Sequence, residues 1–125
     1  HVEQPDGTIH HYAEPLRVPD EMQTLIQWVN SNIQNQNPIH VAAIAHYNMV
    51  RIHPFDDGNG RGARILMNLI LMHKGYFPAV VRLEEKPTYL QALAQADQGD
   101  LLPFIGFITD TVIATQQSVV DALDN

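Results

Sequence analysis

The centre of the chain contains the stretch His53-Pro54-Phe55-Asp56-Asp57-Gly58-Asn59-Gly60-Arg61-Gly62-Ala63-Arg64. Its glycines leave backbone N–H groups open to a ligand. The apolar residues within 65–70 predict that a helix begins here, with its positive end facing the loop, which favours an anion. Arg61 and Arg64 are three residues apart, so they share a helix face and both reach the same polyphosphate. His53 and Asp57 approach it from the loop side, and the stretch predicts a phosphate-binding active site.

The composition limits the class of protein. With 125 residues, 45% of them hydrophobic, the chain is long enough for one compact domain and too short for two ordinary ones. A net charge of −7 with only seven Lys and Arg argues against nucleic-acid binding, which needs clustered cations. The chain has no cysteine, which fits a reducing compartment, and no window approaches a membrane span or a signal peptide. We expect a cytoplasmic protein with neither nucleic-acid nor membrane partners. Because the chain opens with His1 rather than Met, we also expect a fragment of a longer protein.

Turn and proline signals divide the chain into elements. Residues 2–13 hold a turn sequence between two short β-prone stretches, which predicts a hairpin. Proline suits the first turn of a helix and predicts helix starts at Pro19, Pro38 and Pro87. Glycine suits the residue after a helix and predicts helix ends at Gly75 and Gly99.

Apolar spacing predicts which helix faces are buried. In the first helix the buried face comprises Met22, Leu25, Ile26, Val29 and Ile33. In the helix that leads to His53 it comprises Ile39, Ala42, Ala43, His46, Tyr47 and Val50. The helix after the motif is apolar on nearly every side from Ile65 to Met72, which predicts a central helix wrapped by the others. In the last helix we expect Asp100 as the N-cap and a buried stripe of Leu102, Ile105, Ile108, Val112, Ile113, Val119 and Leu123. The predicted fold is mainly α, a helical bundle with one N-terminal β-hairpin.

Two other glycine-rich motifs fail to account for the central stretch. A calcium loop needs oxygen ligands before its invariant glycine, yet with Gly58 in that place His53 and Phe55 would be ligands. Gly58, Gly60 and Ala63 loosely match a dinucleotide-binding fingerprint, but that fingerprint follows a strand, and here a helix precedes it. A plain glycine-rich turn with two surface arginines explains some of these residues but not all of them together.

The stretch resembles the signature of Fic-domain proteins, His-x-Phe-x-Asp/Glu-Gly-Asn-Gly-Arg-x-x-Arg, which residues 53–64 match at every fixed position. Similar elements of that family fall at Tyr12-Ala13-Glu14-Pro15, Val18-Pro19, the approach from Ala43 to His46, Tyr89 and Gly99-Asp100. The resemblance implies a single Fic-type domain over residues 1–125, with a flap hairpin at 2–13 and the active-site motif at 53–64. It also implies a protein adenylyltransferase, which transfers AMP from ATP to a Ser, Thr or Tyr hydroxyl of a target protein and releases pyrophosphate.

His53 and Asp57 have the chemistry that this reaction needs. The attacking hydroxyl must lose a proton, and histidine, with a usual pKa of about 6.5, is suited to accept it near neutral pH. His53 is therefore the expected general base. Asp57 offers a hard oxygen ligand for Mg²⁺, which prefers one or two carboxylates together with substrate phosphates.

The remaining motif residues are expected to hold the phosphates of ATP. The N–H groups of Gly58, Asn59 and Gly60 would form an anion hole, while Arg61 and Arg64 would clamp the outer phosphates. Similar proteins that transfer the γ-phosphoryl group instead, the Doc toxins, carry lysine in the position of Gly60. The glycine here favours nucleotidyl transfer.

The resemblance also assigns roles outside the motif. The edge of the flap hairpin, at Ile9, His10, His11 and Tyr12, would pair with the backbone of the target protein. A metal site at His10 and His11 is disfavoured, because neighbouring residues of a strand point to opposite faces. Tyr89 would border the adenine, although an aromatic residue at helical spacing is also typical of a core. His46 is expected to pack between helices.

Regulation and alternative functions stay open at the level of sequence. Many relatives contain an inhibitory Ser/Thr-x-x-x-Glu-Gly/Asn segment whose glutamate pairs with the second arginine of the motif, and none occurs in residues 1–125. We expect such a segment, or an antitoxin-like partner, outside this chain. The alternatives are hydrolytic removal of AMP, transfer from another nucleotide donor, and a non-catalytic module that binds nucleotides or docks partners.

Overall fold

The computed structural model describes the backbone of residues 2–3, 9–10, 15–52 and 59–124. Within these ranges the chain forms two strands of two residues each and five α-helices. In chain order they are β1 (Val2–Glu3), β2 (Ile9–His10), α1 (Val18–Asn32), α2 (Pro38–Ile52), α3 (Asn59–His73), α4 (Lys86–Asp97) and α5 (Leu102–Leu123). Short 3₁₀ turns precede α1 and α4 at Pro15–Arg17 and Leu83–Glu85. The described part of the chain is mainly helical, as predicted. None of its helices combines the length and the apolar character that crossing a membrane requires.

The two short strands pair antiparallel, with Val2 opposite His10 and Glu3 opposite Ile9. This pairing is all that the structure describes of the segment 2–13. The predicted turn, together with His11 and Tyr12, lies outside the described residues. The flap and its role stay a prediction.

Proline and asparagine define the starts of the helices. Pro19 and Pro87 lie in the first turns of α1 and α4, where the missing N–H leaves no helical hydrogen bond unmade. Pro38 is the first residue of α2. The side-chain oxygen of Asn37 caps this helix by accepting hydrogen bonds from the N–H groups of Ile39 (2.9 Å) and His40 (3.4 Å). The three predicted helix starts are confirmed.

Gly75 and Gly99 end α3 and α4 in the same way. Their φ angles are +88° and +97°, in the left-handed region that favours glycine. The N–H of each glycine and the N–H of the next residue donate to carbonyls of the last helical turn at 3.0–3.1 Å. This pair of bonds is the Schellman cap, and both predicted helix ends are confirmed.

The prediction that Asp100 caps α5 is wrong. Its backbone N–H donates to the Gln95 carbonyl at 3.0 Å and so completes the end of α4. Leu101 occupies the N-cap position of α5 without any side-chain hydrogen bond, and Pro103 lies in the first turn. The start of α5 is therefore defined by proline rather than by a polar cap.

The central helix is α2, not α3 as predicted. It packs against α1, α3 and α5, and its buried side chains are Ile39, Val41, Ala42, Ala43, Ala45, His46, Met49 and Ile52. In α3, Ile65, Leu69 and Met72 are 60%, 56% and 48% exposed. This helix buries only the face that contacts α2, and no described element covers the opposite face.

Two other predicted faces need correction. In α5 the buried residues are Phe104, Ile108, Thr111 and Val112, whereas Leu102, Ile113 and Leu123 of the predicted stripe are exposed. In α1, Ile26 is exposed, while Leu25 and Val29 are buried. Both helices carry apolar residues on more than one face, and spacing alone does not tell which face meets the core.

The connector between α3 and α4 is held by a side-chain amide. Asn68 of α3 accepts a hydrogen bond from the Ala79 N–H (2.8 Å) and donates to the Ala79 carbonyl (3.4 Å). Ala79 is buried. The connector therefore packs against the helices and leads the chain to α4.

His46 is fully buried in this apolar core. Burial lowers its pKa from the usual 6.5 to about 4, an effect partly offset by the nearby Ala63 backbone and reinforced by the positive charge of Arg64. Its ring stacks on Phe104, with ring centres 5.6 Å apart and an angle of 29° between the planes. The prediction that His46 packs between helices is confirmed.

We predict opposite effects of alanine at two glycines. Gly99→Ala should lower the free energy of unfolding by about 1–2 kcal/mol, because an alanine at φ +97° is strained although its methyl group would meet no atom within 4 Å. Gly106→Ala, inside α5 and equally free of contacts, should raise it by about 0.5–1 kcal/mol. Urea unfolding of the two variants measures both values. An equal change in both would contradict the role of the Gly99 backbone.

We also predict that the folded chain loses stability as the pH falls from about 6.5 to 4. Over this range His46 is protonated in the unfolded state but stays neutral in the folded state, so acid favours unfolding. The full effect corresponds to about 3 kcal/mol. Urea unfolding at several pH values should show a shallower pH dependence for His46→Gln than for the wild type and no change for His73→Gln, which alters an exposed histidine. An NMR titration of wild-type His46 that gives a pKa near 6.5 would contradict the prediction.

Candidate active site

The motif lies at the junction of α2 and α3. The first helix ends at Ile52 and the second begins at Asn59, so residues 53–58 connect two packed helices. Ile52 is almost completely buried, which anchors the residue directly before His53. Of the predicted site residues, His53, Asp57 and Gly58 lie outside the described residues, while Asn59, Gly60, Arg61 and Arg64 form the first turns of α3.

The first turn of α3 has the character of an anion site. It contains no acidic residue, and its first backbone N–H groups, which have no carbonyl partner within the helix, carry the positive end of the helix dipole. The side chains of Arg61 and Arg64 are exposed on this helix, and neither forms an ion pair with any residue that the structure describes. Positive charge and N–H donors are therefore concentrated at one place in a chain whose net charge is −7.

Gly60 leaves room for the Arg64 side chain. A β-carbon at residue 60 would lie 3.3 Å from the Nη1 atom of Arg64, so the guanidinium group folds back over the first turn of α3. A larger side chain at residue 60 would compete for this space. Even an alanine here would require the exposed end of the Arg64 side chain to move by a few tenths of an ångström.

An ion pair supports the end of α2 next to the motif. Arg51 Nη2 lies 3.0 Å from Glu21 Oε2 of α1, and Arg51 Nε donates to the side chain of Asn48 at 3.3 Å. Because Arg51 is two residues before His53, this contact links α1 to the start of the loop. Sequence reasoning missed the pair, since the partners are thirty residues apart and neither belongs to a recognisable motif.

The buried His46 of α2 and the partly buried Tyr89 of α4 form a hydrogen-bonded pair. The Nε2 atom of His46 is 2.6 Å from the Tyr89 hydroxyl. Burial raises the pKa of Tyr89 to about 12, and the charge of Arg64 partly opposes this shift. The Tyr89 ring also packs against Phe104 and Phe107. These contacts account for the Tyr89 side chain as part of the core, and its predicted contact with adenine stays a prediction.

The described residues include no group of three or more His, Asp or Glu side chains that could hold a metal ion. The first turn of α3 supplies no carboxylate either. A Mg²⁺ ion at this end of α3 would therefore depend on Asp57, outside the described residues, and on oxygens of a bound substrate.

Comparison with known proteins identifies the family. The sequence model described as the Fic/DOC family matches residues 2–71. Proteins named protein adenylyltransferase Fic from Drosophila erecta and Drosophila grimshawi are each 46% identical over 90 residues, which is 71% of this chain and 18% and 19% of theirs. The chain thus spans about a fifth of the length of these relatives.

Solved structures agree in fold. Fic-1 from C. elegans (residues 134–508) superposes with a TM-score of 0.85 at 37% identity, covering 94% of this chain and 36% of that one. A Fic domain containing signaling protein from Bacteroides thetaiotaomicron gives a TM-score of 0.81 at 35% identity, covering 90% and 48%. Because the family match covers more than half of the sequence and the structures share its helical fold, this chain belongs to the Fic/DOC family.

Proposed function

We propose that this chain is an adenylyltransferase domain that transfers AMP from ATP to a hydroxyl group of a target protein. The observation that carries the proposal is the acid-free first turn of α3, where Gly60, Arg61 and Arg64 directly follow the loop of the family motif. The names of the Drosophila relatives support the same reaction. A helix N-terminus with two arginines suits a polyphosphate better than any neutral ligand.

The reaction would proceed by in-line displacement at the α-phosphorus. The target hydroxyl oxygen bonds to phosphorus, the bond from phosphorus to the pyrophosphate oxygen breaks, and His53 accepts the hydroxyl proton. The N–H groups of Gly58, Asn59 and Gly60 would stabilise the negative charge that develops on the phosphates. Removal of one such donor typically costs about 2.7–4 kcal/mol of transition-state stabilisation. Arg61 and Arg64 would hold the outer phosphates, so that the α-phosphorus faces the incoming oxygen.

Asp57 would hold Mg²⁺ together with the substrate phosphates. When bound, the ion offsets charge on the pyrophosphate leaving group. The glycine at residue 60 supports release of pyrophosphate over transfer of the γ-phosphoryl group, because the Doc toxins, which transfer that group, carry lysine at this position.

The flap edge, Ile9 to Tyr12, would bind the target as an added strand. The antiparallel pairing of β1 and β2 supports this assignment, since a paired strand keeps one edge available for a further strand. Main-chain hydrogen bonds would supply most of the affinity. Recognition would then depend weakly on the sequence around the modified hydroxyl.

Control of the activity would act on Arg64. Its side chain is exposed and makes no ion pair within the described ranges, so a glutamate from a segment or partner outside this chain has access to it. Such a pair would remove one clamp from the outer phosphates and lower the activity.

Labelled ATP tests the proposed reaction. With Mg²⁺ and a cell lysate as the source of target protein, we expect label on protein from α-labelled ATP and none from γ-labelled ATP, counting only label that His53→Ala abolishes. Loss of the general base should lower the transfer rate by about 10²–10⁴-fold. The matched control is His40→Ala, which removes an exposed histidine of α2 and should leave transfer unchanged. Transfer of γ-label that depends on His53 would instead demonstrate phosphorylation.

Substitution of Arg64 tests the phosphate clamp. Arg64→Ala should weaken binding of Mg·ATP by about 10–100-fold, as expected for loss of hydrogen bonds to a charged group. Arg64→Lys should recover part of this loss, because lysine keeps the charge but not the bidentate geometry. Calorimetry measures both values, with Arg82→Ala as the control for an exposed arginine elsewhere. Equal affinities for wild type and Arg64→Ala would contradict the assignment.

A further inference from the structure

Two side-chain amides hold the inner side of the connector, residues 76–82, which joins α3 to α4. The Phe77 N–H donates to Gln116 of α5 at 2.7 Å. The Ala79 N–H donates to Asn68 of α3 at 2.8 Å, and the Ala79 carbonyl accepts from the same side chain at 3.4 Å. Residues 77 and 79 thus direct their bonds towards the helices, which is the pattern of an extended strand that is paired along one edge.

The outer edge of the connector is unpaired. Because alternate residues of an extended chain direct their N–H and C=O groups to opposite sides, those of Val80 and the carbonyl of Pro78 point away from the helices. Neither residue forms a hydrogen bond with any part of the chain that the structure describes. The side chains of Val80 and Phe77 are 61% and 46% exposed. An open edge with exposed apolar side chains is a template for a further strand, and Pro78 limits the pairing to a short stretch.

An open cavity of about 590 Å³ lies beside this edge, between the connector and α5. Val80 and Arg82 both line it, as expected for residues two apart on one face of an extended chain, and Arg82 has extended backbone angles (φ −77°, ψ 158°). Glu84 and Glu85 line it as well. One oxygen of Glu85 accepts the Arg82 N–H at 3.2 Å, which fixes the position of that carboxylate. Two carboxylates face one guanidinium group, so negative charge is in excess around the cavity.

The hydroxyl groups of α5 that line the cavity offer acceptors to a ligand. They belong to Thr111, Thr115 and Ser118, and each donates its single proton to a carbonyl of its own helix, at 2.9, 3.0 and 3.0 Å. The lone pairs of the three oxygens stay available. Together with the carboxylates they favour a ligand that carries several N–H donors and a positive charge, such as a lysine or arginine side chain.

We propose that the outer edge of the connector binds an extended segment of a partner protein, rich in lysine or arginine, as an added strand. The N–H and C=O groups of Val80 and the carbonyl of Pro78 pair with the backbone of this segment. Side chains of a strand alternate between two faces, so one set of the partner's side chains reaches the cavity and the other lies on the face of Phe77. The bonds from Asn68 and Gln116 hold the edge in place before the partner binds, which lowers the entropic cost of binding.

This surface is distinct from the first turn of α3. The connector follows the C-terminal end of that helix, and fifteen residues at 1.5 Å each separate its two ends by about 22 Å. A segment bound at the connector leaves Arg61 and Arg64 accessible. Binding at the connector is therefore independent of the proposed transfer of AMP, and either proposal can fail without the other.

An NMR titration with a synthetic peptide tests the added strand. The probe is the capped hexapeptide acetyl-Val-Lys-Val-Lys-Val-Lys-amide, which as a strand presents lysine on one face and valine on the other. We expect saturable binding with a Kd of about 0.1–1 mM, as suits a short contact with few hydrogen bonds. The amide proton of Val80 should move downfield, because its N–H gains an acceptor. The amide protons of Phe77 and Ala79, which are already bonded, should move less.

Two control peptides separate the backbone from the charge. Methylation of every backbone nitrogen removes the N–H donors of the probe and keeps its charge, while glutamate in place of lysine reverses the charge and keeps the backbone. Each should bind about tenfold more weakly than the probe. In the protein, Glu84→Gln should weaken binding about two- to fivefold. Asp110→Asn, which removes an exposed carboxylate of α5 that does not line the cavity, should leave it unchanged.

Several results would overturn the proposal. An unmoved Val80 amide at about 10 mM probe, well above the expected Kd, is one of them. Equal affinity for the probe and its N-methylated form, or for the lysine and glutamate peptides, is another. Shifts confined to Ile9 and His10 would assign the peptide to the flap edge instead. Unchanged affinity in Glu84→Gln would contradict the role of the cavity, provided that the spectrum of the variant keeps the wild-type dispersion and so excludes a loss of folding.

Discussion

Close packing of α2 against its neighbours is the constraint on which the rest of the structure depends. Three alanines of this helix, Ala42, Ala43 and Ala45, are fully buried, as is Ala63 in α3. Alanine adds little side chain between helix backbones, so helices that meet at alanines approach closely. Residues 53–58 span the gap between the ends of two such helices. The positions of Ile52 and Asn59, the two residues that flank this loop, therefore depend largely on apolar packing between α2 and α3.

Local signals in the sequence predicted the boundaries of elements well. Pro38 and Asn37 act on the first turn of α2, and Gly75 and Gly99 act on the last turns of α3 and α4, through steric and hydrogen-bond effects that involve only nearby residues. The position of the motif between two helices was predictable for the same reason. Asp100 shows the limit of such signals. A residue between two helices can complete the end of the first helix or cap the start of the second. The backbone of Asp100 completes α4 and does not cap α5.

Burial and pairing across the chain were not predictable, because they depend on which elements meet. Leu69 and Met72 have the same apolar character as Met67 and Leu71, yet only the latter two are buried. Likewise, nothing local marks Arg51 as the partner of Glu21, or Tyr89 as the partner of His46. Sequence reasoning identified Tyr89 and His46 separately, as an adenine contact and a packing residue, and the structure joins them. The loop residues His53 and Asp57 are identified by motif alone.

The electrostatics of the chain indicate what the proposed binding of ATP would require. A chain with a net charge of −7 repels a nucleotide triphosphate at long range. At physiological ionic strength this repulsion is screened beyond about 8 Å, so that affinity depends on donors in direct contact with the phosphates. In the proposed complex these donors lie at the start of α3, where each arginine would contribute through the position of its guanidinium group as well as through its charge. Displacements of about 1 Å are enough to lower catalysis by two orders of magnitude. The packing of α3 against α2 would therefore be as relevant to the proposed anion binding as the arginines themselves.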